Sequence, residues 1–198
     1  MGIFDQITNL FSAKSKTRSA YIDPHRFYFN NNSGAIVNKT TALGFTPVFN
    51  AVRLLSESIS QIPLEICERT STGDIIKRND HPLSRILTIN PNKNQTKVSF
   101  FSKIIVDLCL DGNSYVFIER NGSGVPIDLY CINADHIEMK FQDDEFFYQN
   151  NDDGKVYSND EILHFKTLST NGYLGVSPIE MCKSAIGWGL AVETYGNT

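Results

Sequence analysis

The sequence predicts an α+β protein: amphipathic helices packed on antiparallel β-hairpins, ending in the start of a long helix. Three observations point there. Apolar residues recur at helical spacing before Gly112, switch to a period of two from Tyr115 onward, and return to helical spacing after Ser177. The period-two segments are joined by short Asn/Gly/Asp turns, which favours antiparallel pairing. At 198 residues the chain has the length for one domain with a real core, or one domain and an appendage.

Taken in order, Ile3, Phe4, Ile7, Leu10 and Phe11 suggest a short amphipathic helix. Ser12 to Ala20 is polar and basic, and Asn30 to Gly34 is a loop, so residues 1–40 read as a flexible arm, poorly ordered from about Ser12 to Lys39. Thr46-Pro47 opens the first strong helix, with Thr46 as cap and Pro47 at the first helical position. Val48, Val52, Leu55, Ile59 and Ile62 fall on one face, and Pro63 stops the run. Leu64 to Glu68 and Asp74 to Lys77 form a hairpin around Thr70 to Gly73. His81 to Leu87 is a short helix, broken by Asn90-Pro91-Asn92. Thr96 caps a second strong helix whose inward side holds Phe100 or Phe101, Ile104, Ile105 and Leu108, with Gly112 closing it. Strands follow at Tyr115 to Ile118, Pro126 to Ile132, His136 to Phe141, Glu145 to Gln149, Lys155 to Tyr157 and Ile162 to Lys166. Ser177-Pro178-Ile179-Glu180 has the pattern of a capping box, and Ile179, Cys182, Ile186 and Leu190 keep helical spacing behind it.

Composition restricts the function. The net charge of −4 argues against a surface that grips nucleic acid, since phosphate binding rests on Lys and Arg. Contact with DNA would be that of a conduit, not of recognition. No run of about 20 apolar residues is present, so no membrane-spanning helix is expected. Met1-Gly2 is followed by Gln at position six, where a myristoylation signal needs Ser or Thr, and no secretory leader pattern occurs; the start reads as cytosolic. Cys67, Cys109, Cys131 and Cys182 are widely spaced in apolar stretches, the pattern of buried free thiols in a reducing compartment.

No catalytic constellation stands out. His25, His81, His136 and His164 lie outside any H-E-x-x-H pattern, and there is no G-x-S-x-G elbow. A Cys–His nucleophile pair is the enzymatic alternative, marked by a pocket joining Cys109 or Cys131 to a histidine. The acidic runs at Asp143 to Glu145 and Asn151 to Gly154 lack calcium-loop spacing and read as turns. Asn121 to Gly124 lies between strands and is a hairpin turn, not a phosphate loop. The aromatics at Phe27 to Phe29, Tyr115, Phe117 and Phe146 to Tyr148 have little interleaved Lys or Arg, so packing is favoured over base stacking. No cofactor, metal or catalytic residue is expected.

One series of short motifs is more specific than any of these. Met1 to Asp5 is followed by Thr41-Ala42-Leu43, then by the helix from Val52 to Ile59 that ends at Ile62-Pro63-Leu64. Asp80-His81-Pro82-Leu83, Asn90-Pro91-Asn92 and Gly112-Asn113-Ser114-Tyr115 come next, then Asp160 to Phe165 around His164, and Gly175-Val176-Ser177-Pro178-Ile179. In this order the series resembles the N-terminal half of tailed-phage portal proteins of the siphophage type, over nearly the whole chain. His81, Pro82, Leu83, Asn90, Pro91, Gly112, Asn113, His164, Gly175, Ser177 and Pro178 are the motif positions, read as caps, turns and packing sites.

The resemblance implies a ring-forming subunit, usually a dodecamer, at one capsid vertex. Such a ring passes double-stranded DNA without reading its sequence during packaging and ejection. It docks the terminase large subunit and later a head-completion adaptor, and it meets capsid and scaffold proteins. The implied location is the virion, with assembly in the host cytoplasm, and no enzyme activity is implied. Residues 41–176 would form the wing-like α+β domain, and 177–198 the start of a helix leading toward the stem. Family members are typically about twice as long, so the chain is expected to be a fragment of a longer subunit or a naturally short portal-like protein. In the second case the alternative role is to bind or co-assemble with a full portal and interfere with capsid assembly.

Overall fold

The computed structural model describes residues 33–142 and 145–196. The expected N-terminal helix at Ile3 to Phe11, the arm up to Asn32, the aromatics at Phe27 to Phe29, His25, and the turn residues Asp143 and Asp144 lie outside the described residues. The elements are α1 (Lys39–Gly44), α2 (Thr46–Ser60), β1 (Cys67–Arg69), β2 (Ile75–Lys77), α3 (Pro82–Thr88), α4 (Lys97–Asp111), β3 (Asn113–Arg120), β4 (Pro126–Ile132), β5 (Ile137–Gln142), β6 (Glu145–Asn150), β7 (Val156–Ser158), β8 (Ile162–Lys166), α5 (Pro178–Met181) and α6 (Lys183–Gly196). A 3-10 turn at Ala134–His136 precedes β5. The class is α+β, as the periodicity predicts.

Helix α4 and strand β3 form the spine. Strand β3 sits between β4 and β8 in an antiparallel sheet, with Tyr115 opposite Ile132 on one side and His164 on the other. Its residues alternate between two cores, as a strand's side chains must. Val116 packs with Phe100 and Ile104 of α4, Ile86 of α3 and Leu129 of β4. Tyr115 packs the opposite way, with Met139 and Tyr148 of the second sheet, which has the order β5-β6-β7. A third core joins the helices through Val37, Ala42, Val52, Leu110, Ile179 and Ile186.

The helical layer departs from the sequence reading in four places. First, packing begins at Val37, inside the expected arm, and Asn38 opens the unforeseen helix α1. Asn38 Oδ1 accepts the Thr41 N–H and Thr41 Oγ1 accepts the Asn38 N–H, both at 2.9 Å. Second, Thr46 does not cap α2. Phe45 holds that position without a side-chain cap, because its ring is needed elsewhere: it fills the space where a Cβ on Gly189 would lie 2.4 Å away. Third, α2 is rotated from the expected face. Val52, Ser56 and Ser60 are buried, and the small serines let α4 approach, while Leu55, Ile59 and Ile62 remain 48, 42 and 55% exposed. The serine hydroxyls donate back to Arg53 O and Glu57 O, so their burial leaves no polar group unpaired. Fourth, the final helix breaks at Cys182 (φ −95°, ψ 8°) into α5 and α6. Ser177 Oγ accepts the Glu180 N–H at 3.2 Å, but the Glu180 carboxylate engages Lys183.

The cysteines also differ from expectation. Cys67 and Cys182 are exposed. The first lies in the β1–β2 hairpin, which is exposed along both strands, and the second at the α5/α6 break. No helix among the described residues is long and apolar enough to cross a membrane.

Candidate functional site

The motif positions gather at the two ends of α4. Near its start, His81 Nδ1 accepts the Leu83 N–H and caps α3, with Pro82 in the first turn and Leu83 against the Phe100 core. Asn90 N–H donates to Arg85 O as the helix ends. Pro91 is fully buried, and its carbonyl accepts the Leu129 N–H at 2.8 Å. Asn92 continues this contact: its Nδ2 donates to Leu129 O at 2.7 Å. The turn therefore occupies the outer edge of β4 as a short strand would. Asn92→Ala is expected to cost about 1–3 kcal/mol, since it orphans a buried carbonyl. A urea titration checks this.

At the other end, Gly112, Asn113, His164, Gly175 and Ser177 converge. Gly112 ends α4 in the left-handed region (φ +75°), and its carbonyl accepts both the N–H and the hydroxyl of Thr167. Asn113 uses every hydrogen-bonding site it has. Its Nδ2 donates to Asp111 O and Gly175 O; its Oδ1 accepts the Gly175 N–H at 2.7 Å and His164 Nε2 at 3.0 Å. Ser177 Oγ both caps α5 and donates to Leu110 O at 2.5 Å. Pro178 then starts α5. One asparagine thus ties together the end of α4, strand β8 and the loop into α5.

His164 has a defined tautomer here. Asn113 Oδ1 is fixed as an acceptor by the Gly175 N–H, so Nε2 must carry the ring proton. Nδ1 is left to accept from the Tyr148 hydroxyl, 3.4 Å away, and the ring stacks on Tyr115 at 4.5 Å. Burial, with a smaller push from Lys166, lowers its pKa from 6.5 to about 4. The folded state therefore favours neutral imidazole. This contribution is fully present above pH 6.5 and is lost as pH falls toward 4, where the folded form also protonates. The full window corresponds to about 3 kcal/mol. Burial raises the pKa of Asp107 and Asp111, which tilts the total pH profile the other way at its acid end. The measurement is thus a difference: the stability gap between wild type and His164→Gln is expected to widen as pH rises from 4 to 6.5.

The remaining candidates do not form a reactive set. Burial raises the Cys109 thiol pKa, and pushes that of Cys131 up to about 12, with Cys131 Sγ facing Phe100 O. Thiolate is disfavoured at both. His136 pairs with Asp152, not with a thiol. Among the described residues no three His, Cys, Asp or Glu side chains are grouped to hold a metal ion. Sequence reasoning missed Thr167, which donates to Gly112 O and Val176 O. It also missed Asp107, which is buried beneath Lys103 and accepts from Ser114 Oγ. No local pattern announces either one; each is defined by what the tertiary fold brings to it.

The family model described as "Phage portal protein" matches residues 46–198. The chain belongs to the phage portal protein family. This portal chain is 32% identical over 162 residues to the portal protein of Enterobacteria phage HK97, an alignment covering 79% of this chain and 38% of that protein. Its fold is similar to a chain in the neck of an empty GTA (gene transfer agent) particle solved with C6 symmetry. That match has a TM-score of 0.67 at 20% identity, over 99% of this chain and 51% of the other. A crystal structure of an HK97-family portal protein from Corynebacterium diphtheriae matches with a TM-score of 0.56 at 18% identity, over 80% of this chain and 47% of that one. The chain thus spans roughly two fifths to one half of the length of these three proteins.

Proposed function

We propose that this chain is the N-terminal part of a portal subunit and works by assembling with copies of itself into a ring at the capsid vertex. The family match over residues 46–198 carries the reading. The geometry supports it in two ways. The motif residues are committed to internal hydrogen bonds, which leaves shape and surface as the means of action. Large apolar side chains nevertheless stay exposed on separate elements: Leu55 and Ile59 on α2 with Ile62 just past its end, Ile75 and Ile76 on the hairpin, and Trp188 and Val192 on α6. Exposed apolar surface on unlike elements suits head-to-tail contacts, which form a ring when the rotation between subunits closes.

In this reading residues 41–176 are a wing-like domain and 177–198 lead toward a stem. DNA passes through the ring without sequence recognition, and the net charge of −4 limits sticking. Terminase, a head-completion adaptor and capsid and scaffold proteins are the proposed partners. Assembly takes place in the host cytoplasm, and the subunit itself catalyses no reaction. Similarity to portal chains favours this role over interference with a full portal. The test is to express the complete reading frame containing this sequence and examine the product by mass photometry and negative-stain microscopy. Rings of cyclic symmetry are expected; monomer at every salt and protein concentration would overturn the proposal.

A further inference from the structure

We propose that residues 37–45 form a strap that holds α6 in its seat, and that Lys39 is the latch of that strap. Val37 and Ala42 are buried in the same core as Ile186 of α6, with Leu43 and Phe45 packed against it. Lys39, in the first turn of α1, pairs with Asp111 at the end of α4 and with Asp135 in the 3-10 turn before β5. One ammonium group thus joins three elements. At the other end of the strap, Phe45 is the single extended residue between α1 and α2 (φ −78°, ψ 113°). Its ring lies over Gly189 of α6, where a Cβ would meet three ring atoms at 2.4 to 3.0 Å. A glycine at that point is what admits the ring.

Helix α6 needs such a hold because the anchoring of α5 does not extend to it. Ile179 of α5 is buried, and Ser177 Oγ donates to Leu110 O. The chain then breaks at Cys182, which separates the direction of α6 from that of the anchored turn. The buried residues of α6 are Ile186 and Gly187, and Leu190 packs partly against the core. Beyond them Val192 and Tyr195 are exposed. The helix is therefore held along its first half, where the strap supplies part of the contact and Val52 and Leu110 supply more. Within the strap, the ion bridge is the contact that solvent can reach. The Lys39 and Asp135 side chains are 35 and 58% exposed, so salt screens that pair. Asp111 is only 17% exposed and is costly to leave unpaired. Releasing the bridge loosens α1 and, through Ala42 and Phe45, loosens α6, which turns about Cys182. The coupling is mutual: a change that unseats α6 frees the strap as well. This goes beyond ring assembly and does not depend on it.

The test is amide hydrogen exchange on the full chain, followed by NMR, with acrylamide quenching of Trp188 as a second readout. Trp188 is the chain's one tryptophan and the neighbour of Gly189, so it reports on α6 alone. Lys39→Met combined with Asp111→Asn removes the latch without stranding a buried carboxylate. Exchange is expected to quicken at least about fivefold at Ala42 and Phe45 and, together with them, at Ile186 and Leu190, while Val116 and Leu129 stay unchanged. Trp188 is expected to become easier to quench. Raising salt to about 1 M, where the Debye length is about 3 Å, is expected to shift the wild-type chain in the same direction and to leave the double variant unmoved. Gly189→Ala pushes from the other side and is expected to quicken exchange at Ala42 and Phe45. Three results would each overturn the proposal: faster exchange in the strap with α6 unchanged, equal acceleration at all amides including Val116 and Leu129, or no response of the strap to Gly189→Ala. Should the double variant fail to fold, the salt titration of the wild-type chain decides: strap and α6 amides that do not respond together sink the idea. Ring formation, scored separately on the complete reading frame, tests the portal reading independently.

Discussion

Gly175→Ala is expected to destabilise the fold by at least about 3 kcal/mol, more than most single substitutions. A Cβ at this position would lie 2.0 Å from Gly112 O and 2.8 Å from Thr167 N. Both are backbone atoms, so no side-chain rotation relieves the contact. Gly112 O is also the acceptor for Thr167, and the residue itself holds the left-handed end of α4. Pushing it away strains the helix terminus and two hydrogen bonds together. Gly44→Ala is the comparator. Its Cβ meets nothing within 4 Å at a non-positive φ, and it is expected to be neutral or stabilising by up to about 1 kcal/mol. Chemical denaturation of both variants separates the clash from the general effect of replacing glycine. Equal stability for the two would show that the β8–α5 loop moves freely relative to α4, contrary to the contacts described.

The difference between these two glycines also shows how much was legible in the sequence. Elements announced by local chemistry were readable: Thr96 caps α4, Gly112 ends it, and Asn121 to Gly124 turns β3 into β4. Periodicity gave the strands because alternation along β3 reflects two real cores. It misled on α2, where the widest apolar stripe is not the buried one. The buried stripe holds Ser56 and Ser60, chosen for closeness to α4, and that choice belongs to the partner helix. Helix α1 was missed because one asparagine and one threonine form its cap inside a polar stretch. The motif series pointed to Gly112, Asn113, His164 and Gly175 as positions. It did not reveal that they meet, since Asn113 and Gly175 are 62 residues apart and only the fold closes that distance.

Asn113→Ala is expected to cost about 3–5 kcal/mol, because one side chain completes four hydrogen bonds in a buried place. The change leaves the Gly175 N–H, the His164 Nε2–H and the carbonyls of Asp111 and Gly175 without their partner. Each orphaned buried group costs about 1–3 kcal/mol, and partial entry of water or local relaxation keeps the total below the simple sum. Asn113→Asp distinguishes hydrogen bonding from packing. It has nearly the same shape and retains the two acceptor bonds, but it turns an oxygen toward two carbonyls in place of an amide donor. It is therefore expected to remain destabilising at pH 7 despite filling the space. A double-mutant cycle with His164→Gln gives the coupling. The two losses are expected to be non-additive by about 0.5–3 kcal/mol, since removing either partner already orphans the other. Additive losses, or full stability of Asn113→Asp at neutral pH, would mean that the junction holds by packing alone. Its hydrogen bonds would then play no part in seating α5 against the end of α4.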